Sequence, residues 1–286
     1  MITVELYKLV RRPRTWISIA LLCALPVAVA VFIAVTHLAP PPGQGAAFLS
    51  AVVQDGSLYP AAALALVLPV FLPVAVALVA GEASTGTLRY LLVRPVSRTK
   101  LLVAKLVAVI TFVLLAVLIV TLTSFITGIS LFGSRPPAAV GGSGGLQPGL
   151  PTGGTQAAGS ATSISGAPLT VTQLLERVAG AVALITVSML GVAAIALFLS
   201  TVTDSVLGAA FGALAVLVGS EVLVTLNAAV AVQPYLPTRY WLAWIDFFRQ
   251  PIFWRDIQRG FGIQAVYVAV FLAAAWANFS TKDVTA

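Results

Sequence analysis

Between Gly81 and Lys105 the chain reads GEASTGTLRYLLVRPVSRTKLLVAK, a run whose leucines and cations are spaced for docking rather than for bond-making chemistry. Leu88, Leu91 and Leu92 fall at i, i+3 and i+4 and form one apolar stripe of a helix, with Glu82, Arg89 and Arg94 outside it. Glu82 suits the positive end of that helix's dipole. Pro95 cannot continue the helix, and Ser97 is placed to cap a second one that carries Lys100 into the next apolar run. The product is a short, stiff, two-faced element joined to a membrane-crossing segment. Such a stripe enters a groove on a partner, and the rigid join passes the partner's movement to the span. A surface anchor is the plainer alternative for the same pattern.

The other reactive residues do not assemble a catalytic set. Nine acidic residues are scattered along the chain, His37 is the single histidine, Cys23 the single cysteine, and Met1 and Met189 are the only methionines. General acid–base, thiolate and soft-metal chemistry therefore lack their groups within this chain. A phosphate-binding loop needs Gly-Lys followed by Ser or Thr, and none of the four lysines follows Gly or precedes Ser or Thr, so ATP is expected to bind elsewhere.

Two further places carry polar or aromatic chemistry. Glu221 is the sixteenth residue of an apolar run from 206 to 232, about 24 Å along a helix. A carboxylate there is costly unless it faces protein or water. It lines a pathway or a dimer interface, or the helix ends early and leaves it near the headgroups beside an arginine. The stretch 233–260 gathers Tyr235, Tyr240, Trp241, Trp244, Phe247, Phe248, Phe253 and Trp254 among four arginines and two aspartates. That mixture suits re-entrant or interfacial helices at a membrane surface, either as an aromatic belt or, through Tyr240, Trp241, Trp244, Phe247, Phe248 and Trp254, as an outer gate.

These residues need a scaffold, and composition says which. Of 286 residues 59% are hydrophobic and 9% charged, and mean hydropathy is +1.04. Twenty-five charges (16 + 9) are too few to solvate a globule of this size, so lipid must cover much of it. The net charge of +7 comes from Lys and Arg at the ends of apolar segments, which points to membrane topology and not to nucleic acid.

A span needs about 20 apolar residues. Six windows qualify, at about 17–37, 58–80, 101–132, 178–199, 206–232 and 261–279. Each is uniformly apolar, which predicts helices and excludes barrel strands. The expected fold class is an all-α polytopic membrane protein, one transmembrane domain over 1–286. With the N-terminus cytoplasmic, ten of the sixteen basic residues fall on inner segments, which favours both termini inside. Residues 1–16 mix Val4, Leu6, Leu9 and Val10 with Lys8, Arg11 and Arg12, and read as an interfacial helix on lipid or as ordinary basic flanking. The segment 133–168, rich in Gly, Pro and Ser, is expected to be an unstructured outer loop dividing two three-span halves.

The order Glu82, Gly86-Thr87-Leu88, Leu91-Leu92, Pro95-Val96-Ser97-Arg98, Leu101-Leu102 and Lys105 resembles the signature loop of ABC-2 type ABC transporter permeases. The six-span layout, a basic N-terminal segment similar to that family's elbow helix, and the ending Phe279-Ser280-Thr281-Lys282-Asp283, similar to its Phe-x-x-basic-Asp tail, extend the likeness along the chain. The resemblance implies a permease subunit of the plasma (inner) membrane. It would pair with a second copy or paralogue and with two ATPase subunits that hold ATP and Mg, this chain holding no cofactor. Glu82, Thr85, Gly86, Thr87, Leu88, Arg89, Leu91, Leu92 and Arg94 would form the coupling helix that meets the ATPase. Lipid, glycan, peptide and drug-like export all fit. The long Gly-rich loop departs from the family pattern. A polytopic membrane enzyme and a non-transporting assembly protein are the readings from other classes.

Overall fold

The computed structural model describes residues 7, 11, 13–36, 59–64, 98–133, 161–162, 168–203 and 205–281. Five long helices carry the fold: α1 (Pro13–Thr36), α2 (Arg98–Leu131), α3 (Val171–Val202), α4 (Val206–Thr225) and α5 (Trp254–Thr281). All five are long and apolar enough to cross a membrane. Residues 59–64 of the expected second span are helical, and the rest of that window lies outside the described residues. So does the whole expected coupling segment, 82–94. Of the expected elbow, Tyr7 and Arg11 are helical and exposed, with the Arg11 guanidinium 5.2 Å above the Tyr7 ring. Pro13 then opens α1, where its missing N–H costs nothing.

The ends of the helices follow capping chemistry more closely than hydropathy. α3 starts at Val171 and not at Val178, because Thr170 and Gln173 form a reciprocal capping box: the Gln173 amide donates to Thr170 Oγ1 (3.3 Å) and the Thr170 amide to Gln173 Oε1 (3.2 Å). Ser205 caps α4 by accepting from the Gly208 amide at 2.8 Å. α4 stops at Thr225, short of Val232. There the Gln233 side chain donates to the carbonyls of Val224 (2.9 Å) and Leu226 (3.1 Å), satisfying groups that the helix end leaves open. The expected unstructured loop also closes earlier than 168. Ala161–Thr162 (β1) pairs antiparallel with Pro168–Leu169 (β2), in a stretch with more β-branched residues and fewer glycines than the run before it, and hands the chain to Thr170.

α3 is the central rod, packed by α2, α4 and α5, and α1 packs on α2. Along α3 and α5 the facing positions rise together. Leu184 lies by Gly260, the Phe198 and Phe271 rings are 5.6 Å apart, and Asn278 Nδ2 donates to the Thr201 carbonyl at 3.0 Å. The two helices therefore run parallel and pack directly on each other, and α4 packs on α3. Of α3's most apolar stretch 61% is buried, against 17% for α5. The outward faces are nonetheless apolar: Phe211, Val218 and Val222 on α4 and Val266, Val270 and Trp276 on α5 stand exposed. A fold that leaves such surfaces uncovered needs a solvent as apolar as they are.

Two details fit that solvent. Thr111, Thr121, Thr127, Thr186 and Ser188 each return their hydroxyl to the carbonyl four residues back, which removes an unpaired donor from the apolar phase. Trp254 and Trp276, both exposed, stand 22 residues apart on α5 (276 − 254), which is about 33 Å of rise and close to the thickness of a bilayer's hydrocarbon core.

Candidate functional site: an aromatic cap seated on glycines

Residues 226–253 join α4 to α5, rising along the bundle from the middle of α5, where Tyr235 meets Tyr267, to the first part of α3, where Phe247 meets Gly180. Pro234, Pro237 and Pro251 punctuate the stretch, and it forms three 3-10 segments, Asn227–Ala229, Gln233–Tyr235 and Trp241–Phe248, where the sequence suggested re-entrant or interfacial helices. The last segment packs on α3 and α5. Trp244, Phe247 and Phe248 are buried there as deeply as the helix core. Trp244 meets Phe248 edge-on at 6.3 Å, and Phe247 meets Trp254 edge-on at 6.0 Å.

Small residues make room for these rings. A Cβ on Gly180 of α3 would stand 2.7 Å from Phe247 Cε1, and one on Gly260 of α5 would stand 3.3 Å from both Leu184 Cδ1 and Tyr240 Cβ. On Gly191 it would run into Gln264 Oε1. Gly180 and Gly191 are 11 residues apart (191 − 180), about three helical turns, and so share one face of α3. Glycine at a helix contact permits the close approach that apolar packing in lipid requires.

Polar groups then tie the cap down. Gln264 Nε2 donates to the Pro237 carbonyl at 2.7 Å, the Ser220 and Thr238 hydroxyls are 2.8 Å apart, and the Tyr267 hydroxyl donates to the Tyr235 carbonyl at 3.0 Å. On the α3 side, buried Arg177 donates to the Arg249 carbonyl at 3.2 Å. Arg249 in turn reaches Asp246 (Nε to Oδ1, 3.0 Å) and covers the Phe253 ring at 5.6 Å. Burial pushes the Asp246 carboxyl above its ordinary range. The attraction of Arg249 opposes that shift, and the charge of Asp256 adds to it.

The expected site residues therefore fall in three groups. The coupling set Glu82, Thr85, Gly86, Thr87, Leu88, Arg89, Leu91, Leu92 and Arg94 lies outside the described residues. Glu221 is exposed in the last turn of α4, four residues from its end at Thr225 (225 − 221). The gate set is brought together, but Trp244, Phe247 and Phe248 are core residues of the cap, Tyr240 and Trp241 are half-buried against them, and Trp254 is exposed at the rim. Arg177, Gln264 and the glycine seats were not singled out from the sequence. A lone amide inside an apolar run is the signal that points to Gln264. Among the described residues no group of three His, Cys, Asp or Glu is placed to hold a metal ion.

Helices of this length, outward faces of this character and aromatic residues spaced to bilayer thickness define a multi-pass helical membrane protein. The chain belongs to the family described as "Protein of unknown function (DUF2705)", whose model matches residues 27–285. No curated protein matches it.

Proposed function

We propose that the protein is the permease subunit of an ATP-driven transporter of the ABC-2 type, with both termini on the cytoplasmic face of the plasma membrane. The residue order from Glu82 to Lys105 carries this reading, because an apolar stripe ended by proline and joined to a span is built to transmit force from a soluble partner. The partner is an ATPase that binds ATP and Mg, and it docks on Leu88, Leu91 and Leu92. A second copy of the chain or a paralogue completes the pathway, since six helices enclose too narrow a channel for a large solute. The elbow at residues 1–16 rests on the inner leaflet, and the cap at 226–253 lies toward the opposite end, over the exit. Its aromatic and arginine composition suits an amphipathic solute leaving toward the outer leaflet.

Replacement of Leu91 or Leu92 by Asp puts a charge in the docking stripe. The reading expects the ATPase to co-purify with the wild-type chain and to be lost from either variant, while the variant chain still inserts in the membrane. Co-purification that survives both substitutions would turn the assignment toward a membrane assembly protein without transport.

A further inference from the structure

We infer that Gln264 is a positioning residue, the α5 arm of a latch on Pro237–Thr238 that ties the cap to α4 and α5 against a seat in α3, so that the cap and α3–α5 move as one body. This goes beyond the transport reading and does not depend on what the protein carries.

Gln264 is 2% exposed and lies ten residues into α5 (264 − 254), about 15 Å below its start. An amide this buried has no bulk water to bond, so its partners must be protein. Its Nε2 donates to the carbonyl of Pro237. Proline has no N–H of its own, so this carbonyl is the only main-chain polar group Pro237 offers. The next residue, Thr238, is held from a different helix: its hydroxyl pairs with Ser220 of α4 at 2.8 Å, and its amide lies 3.4 Å from the same oxygen. The third helix contributes a space. Gly191 of α3 leaves open the volume that Gln264 Oε1 occupies, and a single methyl group there would displace the amide. One dipeptide, Pro237–Thr238, is thus gripped from α5 and α4, against a seat cut into α3. Opening the cap requires breaking these bonds in apolar surroundings, whereas motion of the α3–α5 body against α1 and α2 leaves them intact.

The test uses the full-length chain in its membrane. Cys23→Ser removes the only native thiol. Leu236→Cys then reports the cap interior, where Leu236 is 8% exposed, and Leu242→Cys reports its exposed surface, where Leu242 is 66% exposed. Gln264→Met keeps the length and packing of the side chain and removes the donor. Gly191→Ala leaves Gln264 chemically intact and moves it. Loss of one buried hydrogen bond predicts that each change accelerates maleimide labelling at position 236 by about three- to tenfold, with no change at position 242. Because both act through the same bond, the double variant should label no faster than the faster single one. A general loss of packing would add instead. Unchanged labelling at position 236 in both single variants, or additive acceleration in the double, overturns the proposal. If Gln264→Met does not insert, Gly191→Ala decides alone, since alanine is the residue a helix accepts best.

Discussion

Alanine in place of Gly180 should weaken the protein, and the structure says by how much and through which neighbour. The new Cβ would stand 2.7 Å from Phe247 Cε1 and 3.1 Å from Cδ1 and Cζ, while ordinary contact begins at 3.4 Å, so the ring must retreat by 0.7 Å (3.4 − 2.7). It has little room to do so, being 6% exposed and braced edge-on by Trp254 at 6.0 Å. Overpacking of that size costs about 1–3 kcal/mol. The gain in helix propensity on replacing glycine offsets up to about 1 kcal/mol, which leaves a net loss of roughly 1 kcal/mol. Phe247→Ala alone loses about 3–5 kcal/mol by emptying the seat. Once the ring is gone, the three atoms nearest to a Cβ at position 180 are gone with it, and the sign of Gly180→Ala should reverse, stabilising by up to about 1 kcal/mol. A double-mutant cycle in equilibrium unfolding from bicelles should therefore return a coupling of about 2 kcal/mol. Gly180→Ala that is neutral in the wild-type background, or equally costly in both backgrounds, refutes the claim that the cap sits on α3 through this glycine.

Three other outcomes follow from the same geometry. Asp246 binds its proton more tightly folded than unfolded, because burial outweighs Arg249; its contribution to stability is therefore present at the acid end and is lost as pH rises from the ordinary carboxyl range through the raised value. Thermal unfolding against pH should show that slope, Asp246→Asn should flatten it, and an unchanged slope contradicts the assignment. Glu221→Gln should alter stability by no more than about 0.5 kcal/mol, as expected for an exposed position in a last helical turn, and a much larger loss in the same unfolding assay means the carboxylate is buried against a partner. Single-tryptophan variants retaining Trp254 or Trp276 should both be quenched best by lipids brominated near the headgroups, and deep quenching of either moves α5 out of the placement drawn from its length.

Helix type was legible in the sequence because lipid imposes a long, uniform signal: five of the six apolar windows hold spanning helices among the described residues, and α1 and α2 begin and end within a few residues of their windows. Hydropathy missed the turns set by caps. The polar residues Thr172, Gln173, Glu176 and Arg177 are helical because Thr170 starts the helix before them, and Val230 and Val232 are not helical because Gln233 closes α4 first. The aromatic content of the cap was plain, but its burial was not. A run such as WLAWIDFF reads equally as a surface belt or a core, and what makes room for Phe247 is the absence of a side chain at Gly180, far away in sequence. Gln264 and Pro237 are 27 residues apart, and no local pattern joins them.

The central functional claim is that the segment after the second span touches an energy-driven partner, and one measurement addresses it most directly. A photo-crosslinking amino acid at position 91, activated in native membranes and followed by mass spectrometry of the adduct, names the neighbour of the leucine stripe. The account predicts an adduct with a nucleotide-binding ATPase whose yield changes when ATP is added. An adduct with no such protein, or labelling of position 91 from the outer face of the membrane, contradicts it.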